Sequence, residues 1–124
     1  MQYDVDHPQA YLDTLVDDWR KTALLRIRKA ILEHPSQPSE AINYKMLGYQ
    51  LNGAFVLHLN AQKHYVGIYL GNLEKLDGAK ALLDGFDCGK GCVRVKKRQA
   101  SSDIPMQLID LALKHVMQGH DLSC

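Results

Sequence analysis

Apolar and polar residues alternate most regularly between Ala41 and Leu70 (AINYKMLGYQLNGAFVLHLNAQKHYVGIYL), and this stretch reads as three consecutive antiparallel strands. Asn52-Gly53 marks the first turn, because a type I′ hairpin needs positive φ at both central residues. Pairing Leu51 with Ala54 then sets Gln50 opposite Phe55, Gly48 opposite Leu57 and Met46 opposite Leu59. A second turn near Ala61-Gln62 pairs Asn60 with Lys63 and Leu59 with His64. One face then carries Phe55, Leu57, Leu59, Val66, Ile68 and Leu70, and this is the expected core face. The other carries Lys45, Tyr49, His58, Asn60, Lys63, Tyr65 and Tyr69.

Helical spacing dominates on either side of the meander. Tyr11, Leu12, Leu15, Trp19, Ala23, Leu24, Ile27 and Ile31 recur with a period near 3.6. One helix from Pro8 to Glu33 would be about 39 Å long at about 1.5 Å per residue, too long for a small domain. A break is therefore expected near Val16–Asp18, with Asp17 capping the second part and His7 or Asp6 capping the first. Pro35 and Pro38 hold a loop before the sheet. Beyond the meander, Asn72 caps a short helix from Leu73 to Asp84, weakened by about 1 kcal/mol relative to alanine by Gly78 in its middle and ended by Gly85. A strand follows at Val93–Arg98. A last helix starts at Asp103 with Pro105 in its first turn and buries Leu108, Leu111, Ala112 and His115. Gly119 onward reads as a frayed tail. The pattern is α+β, a single domain over residues 1–124 with its core at roughly 8–118.

Composition narrows the class. In 124 residues, 46% hydrophobic and 23% charged residues are the proportions of an ordinary water-soluble domain with a real core. A net charge of +1 gives no general attraction to nucleic acid, and the basic run Arg94–Arg98 lacks interleaved aromatics. No apolar run nears the roughly 20 residues needed to cross a bilayer, and the start lacks the basic and apolar regions of a secretory leader. Three cysteines, with Cys124 last, do not make a disulfide framework, so a cytoplasmic protein is expected.

Candidate chemistry is sparse. Gly89-Lys90-Gly91 lacks the hydroxyl residue and following helix of a nucleotide loop, so a tight turn is the simpler account and an anion nest at Lys90 the alternative. Cys88 and Cys92 have no second ligand pair for zinc and only His64 as a base for a catalytic thiol. The register brings Tyr44, Met46 and His64 to one end of the sheet. With Tyr69 and Lys90 they are the candidate lining of a small-molecule or anion pocket, the plainer alternative being a satisfied core histidine. Asp6, Asp13, Asp17 and Asp18 suit a hard cation such as iron, although helix capping and a solvated face also account for them. Tyr49, Tyr65 and Tyr69 offer a third reading, a homodimer surface. No catalytic residue stands out, and a binding protein is expected rather than an enzyme.

Asn43-Tyr44-Lys45-Met46, then Asn52-Gly53, then the stretch Gln62 to Tyr69, then Cys88 to Val95, then Asp103-Ile104-Pro105 form an ordered set. Over roughly Tyr11 to Val116 that set resembles the YdhG-like family of small bacterial domains of unknown function. The resemblance implies an N-terminal helix, an antiparallel sheet of about five strands and a C-terminal helix, with the helices on one face, similar to frataxin. Relatives are often described as frataxin-like iron chaperones, which adds weight to the four aspartates as metal ligands. Tyr69 joins the pocket on this landmark alone. The chain departs from the family at Leu47, where many relatives have proline. It departs again at Cys88 and Cys92, where many have serine and threonine, so neither thiol is expected to be obligatory.

Overall fold

The computed structural model describes residues 5–122. Helices α1 (Pro8–Asp13) and α2 (Trp19–Leu32) lead into strands β1 (Ser39–Asn43), β2 (Met46–Leu51), β3 (Ala54–Ala61) and β4 (Val66–Tyr69). A 3₁₀ turn at Leu73–Lys75 and helix α3 (Ala79–Leu82) precede β5 (Asp87–Cys88) and β6 (Cys92–Val95), and α4 (Ile104–Met117) closes the fold. All six strands pair antiparallel in the order β1-β2-β3-β4-β6-β5. The sheet therefore has six strands rather than about five.

The expected helix break is present, but Asp18 rather than Asp17 caps α2, accepting a hydrogen bond from the Arg20 N–H at 2.9 Å. His7 caps α1 through its ring nitrogen. Between β1 and β2, Tyr44 and Lys45 both adopt positive φ, 53° and 59°, and form a two-residue turn that pairs Asn43 with Met46. The expected first strand is thus two strands. Neither residue favours the left-handed region, so the sequence hides this turn. Gly78, at φ 87°, splits the expected Leu73–Asp84 helix into the 3₁₀ turn and α3. The last strand ends at Val95, before a 3₁₀ turn over Lys97–Gln99. The tail does not fray at Gly119 as expected, since Leu122 is buried and its carbonyl accepts from the Asn72 N–H at 2.7 Å.

Register departs from strict alternation at one point. Leu51 pairs with Ala54 and Gln50 with Phe55, as expected, but Tyr49 pairs with Leu57, so Val56 is an extra residue in β3. Every β2 residue before Gln50 is thereby shifted by one. Leu47 rather than Met46 faces Leu59, and Tyr49 turns inward to become fully buried. Leu57, Leu59, Val66, Ile68, Val93 and Val95 complete the inner face. They pack against Ala23, Leu24, Ile27 and Ile31 of α2 and Leu108, Ile109, Ala112 and Leu113 of α4. Phe55, expected inside, lies half-buried on the outer face, where a methyl group added at Gly48 would come within 2.7 Å of its ring.

Polar cross-links set the helices against the sheet. The Arg28 guanidinium donates twice to Glu40, at 2.8 Å each, and the buried Tyr49 hydroxyl donates to the same carboxylate at 2.7 Å. Burial and the Glu40 charge push the Tyr49 hydroxyl far above its ordinary pKa, keeping it a neutral donor. The Ala61 N–H donates to the buried Tyr11 hydroxyl at 2.8 Å, docking α1 on β3. His34 accepts the Ser36 N–H at Nδ1, so Nε2–H donates to Asp110 at 3.0 Å and joins the end of α2 to α4.

Removing Glu40 strands both partners, the Tyr49 hydroxyl wholly buried and Arg28 partly so. Glu40→Ala should lower unfolding free energy by about 2–3 kcal/mol in urea titration, and Glu40→Gln by less. Lys45→Gly should instead raise stability by roughly 0.5–1 kcal/mol, because glycine takes positive φ without steric cost. Loss of stability in Lys45→Gly would contradict the turn.

Candidate functional site

Across the outer face the register lines up Ala41, Gly48, His58, Tyr69 and Cys92 on successive strands. Two glycines in this face are each roofed by an aromatic ring. Phe55 covers Gly48, and Tyr69 covers Gly67 while donating its hydroxyl to Asn60 at 3.1 Å. His58 stands beside them, stacked on Phe55 with ring centroids 5.4 Å apart and tilted 46° to Tyr44 at 5.6 Å. Tyr44 is 74% exposed and is held over His58 by its positive-φ turn. An exposed aromatic on a strained turn is a feature of ligand-binding surfaces.

These rings form one wall of a groove of about 730 Å³. The groove opens at the Asn52-Gly53 end of the sheet, where Val56, Leu70 and Gly71 line it, and Val116 and the segment from Gly119 to Leu122 form the opposite wall. Among the described residues no lysine or arginine lines it, and Asp121 is its one carboxylate. The Asn43 amide nitrogen lies 3.0 Å from His58 Nε2. An amide nitrogen only donates, so Nε2 accepts and the proton of the neutral ring sits on Nδ1. Burial lowers the His58 pKa below its ordinary value, which favours the same neutral form.

Of the residues expected to form a pocket, Tyr44 and Tyr69 line the groove and three do not. Met46 is half-buried at the start of β2, outside the lining. His64 is exposed in the four-residue β3–β4 turn, where the Gln62 N–H donates to the Tyr65 carbonyl at 2.8 Å. That turn is longer than the tight one expected, so Leu59 pairs with Ile68 and His64 leaves the core face. It lies at the opposite end of β3 and β4 from the groove. Lys90 is exposed beside a second depression of about 630 Å³ floored by Leu73, Leu76 and Phe86. Its loop is pinned by backbone hydrogen bonds from Leu70 to Gly91 and from Leu73 to Lys90, both 2.9 Å, and a side chain at Gly91 would collide with the Gly71 carbonyl. Close backbone approach accounts for these glycines.

The four aspartates are not gathered. Asp6 is 94% exposed, Asp13 accepts from Gln9, Asp17 is exposed, and Asp18 is committed to its cap and to Arg20 at 2.8 Å. Among the described residues no three His, Cys, Asp or Glu side chains converge as metal ligands. Cys88 is exposed, and partial burial with the Asp87 charge pushes its thiol pKa up, the reverse of an activated nucleophile. Cys124 lies outside the described residues. Of the expected tyrosine surface, Tyr49 is in the core, while Tyr69 bonds Asn60 and Arg94 sits over the Tyr65 ring at 5.9 Å.

His58, Phe55 and the tail are the site residues that sequence reasoning missed. The bulge at Val56 concealed the pairing of the first two, because strict alternation puts Phe55 inside and His58 on the mixed polar and aromatic outer face without it.

No family model matches the chain, and no curated protein matches it in sequence. Its fold is similar to that of a solved Bacillus subtilis protein of the DUF1801 family, YdhG. The TM-score is 0.75 at 11% sequence identity, over 90% of this chain and 88% of that one. At that identity the likeness shows a shared α+β architecture. No helix among the described residues is long and apolar enough to cross a membrane.

The His58 environment has a pH consequence. Its folded pKa lies below the ordinary 6.5, so the unfolded chain takes up a proton at this ring before the folded chain does. The His58 contribution is complete above pH 6.5, falls as pH drops through 6.5, and levels off below the folded value. Thermal unfolding of wild type and His58→Phe between about pH 8 and 5 should therefore show a shallower acid loss in the variant. Parallel curves would contradict a depressed His58.

Proposed function

We propose that this is a YdhG-like, cytoplasmic binding domain that holds a small organic molecule in the groove between the outer sheet face and the C-terminal tail. The observation that carries the reading is the three-ring wall of Tyr44, His58 and Phe55. It is presented by a strained turn and a bulge and faces a concavity of ligand size. The shared fold with YdhG and the ordered sequence landmarks support the family placement. Binding is favoured over catalysis because the Nε2 of His58 is already occupied by Asn43, and among the described residues no hydroxyl or thiol is paired with this ring. Iron carriage through Asp6, Asp13, Asp17 and Asp18 has less support, since these carboxylates point to separate partners or to solvent.

A fragment screen followed by ¹H–¹⁵N spectra tests the reading. Binders should shift the amides of Phe55, His58, Gly71 and Leu122 together, and Val116→Trp, which fills the groove, should weaken them at least tenfold. Binders that map elsewhere, or that bind Val116→Trp as well as wild type, would refute it.

A further inference from the structure

The groove's chemistry narrows what it takes. Asn43 occupies Nε2 of His58, so the one remaining polar atom of the ring is Nδ1–H, and His58 has no hydrogen bond beyond the one to Asn43. No fully buried side-chain nitrogen or oxygen among the described residues lacks a partner, so Nδ1, which has none, is not fully buried. A lone N–H donor thus stands between two aromatic surfaces, Phe55 stacked on one side and Tyr44 tilted on the other. Flat rings stack on such surfaces. Among the described residues the lining carries no lysine or arginine to neutralise an anion, and its second imidazole, His120, lies against the His115 ring.

From this arrangement we infer that the groove selects an uncharged, planar aromatic or heteroaromatic molecule bearing one hydrogen-bond acceptor, a ring nitrogen or carbonyl oxygen, which the Nδ1–H of His58 reads. Asn43 is the positioning residue that holds the donor tautomer. The inference rests on the groove reading and goes beyond it by stating polarity, shape and charge. An acceptor in the ligand gains a hydrogen bond that its hydrocarbon isostere cannot make, and an anionic analogue loses by charge.

Three probes of nearly the same shape separate these claims: quinoline (ring acceptor), naphthalene (no acceptor) and 2-naphthoate (anion), titrated at pH 7.5 and followed by ¹H–¹⁵N spectra. Quinoline should bind wild type about five- to tenfold more tightly than naphthalene, the worth of one neutral hydrogen bond. 2-Naphthoate should be the weakest. In His58→Phe the preference for quinoline over naphthalene should vanish. A long-range ¹H–¹⁵N spectrum of the free wild-type imidazole should show the proton on Nδ1, whether or not the variant folds. Equal affinities for quinoline and naphthalene, tightest binding by 2-naphthoate, a quinoline preference surviving in His58→Phe, or a proton on Nε2 would overturn this inference while leaving a groove that binds. Failure of all three probes to shift the groove amides would overturn the inference and count against the groove reading too.

Discussion

The extra residue at Val56 is the constraint on which the rest of the structure depends. Side chains alternate along a strand, so one inserted residue exchanges the two faces for everything beyond it. Here the exchange sends Tyr49 inward and leaves Phe55 and His58 together outside. Without it, Tyr49 would lie on the solvent face, away from Glu40 and Arg28. The anchor of α2 to the sheet edge and the aromatic wall of the groove are therefore two results of the same bulge.

The inner and outer faces divide the work. Inside, apolar residues from α1, α2, α4 and four strands form one continuous cluster, and three polar cross-links orient the helices over it: Arg28–Glu40–Tyr49, Tyr11–Ala61 and His34–Asp110. Such links are worth less in net energy than the apolar burial around them, but an unpaired partner would be costly, which makes them selective for one arrangement. Outside, none of the helices among the described residues covers the sheet. Glycines at 48 and 67 let Phe55 and Tyr69 lie flat on the strands, and those rings, with Tyr44, make the face apolar enough to bind yet open enough to reach.

Much of this fold is legible in the sequence where local chemistry and the global structure agree. Asn52-Gly53 gives its hairpin, the apolar period gives α2, and Leu57, Leu59, Val66 and Ile68 fall on the core face as alternation requires. What escaped depends on residues that break local preference. Tyr44-Lys45 makes a turn that asparagine and glycine would normally make, and Val56 interrupts a strand that has no glycine to announce a bulge. The candidate pocket departs from the structure through the bulge and one further turn: unbroken alternation puts Met46 opposite Leu59, where the bulge puts Leu47. His64 was matched to Leu59 because a tight turn was assumed after Ala61, whereas four residues from Gln62 to Tyr65 make the connection and bring Ile68 there instead. Tyr44 and Tyr69 both line the groove, Tyr69 being named from the family landmark and not from geometry. The tail's return to Asn72 has no local signal, because Leu122 is placed by a long-range contact.

The most direct test of the account is a nuclear Overhauser measurement across β2 and β3 in isotopically labelled protein. The bulge predicts cross-strand contacts pairing Gly48 with His58 and Leu47 with Leu59, together with close contacts between the Phe55 ring and the Gly48 α-protons. Contacts pairing Gly48 with Leu57 and Met46 with Leu59 would mean an unbroken alternation. In that case Tyr49 would lie outside, Phe55 would lie in the core, and the aromatic wall of the groove would not exist.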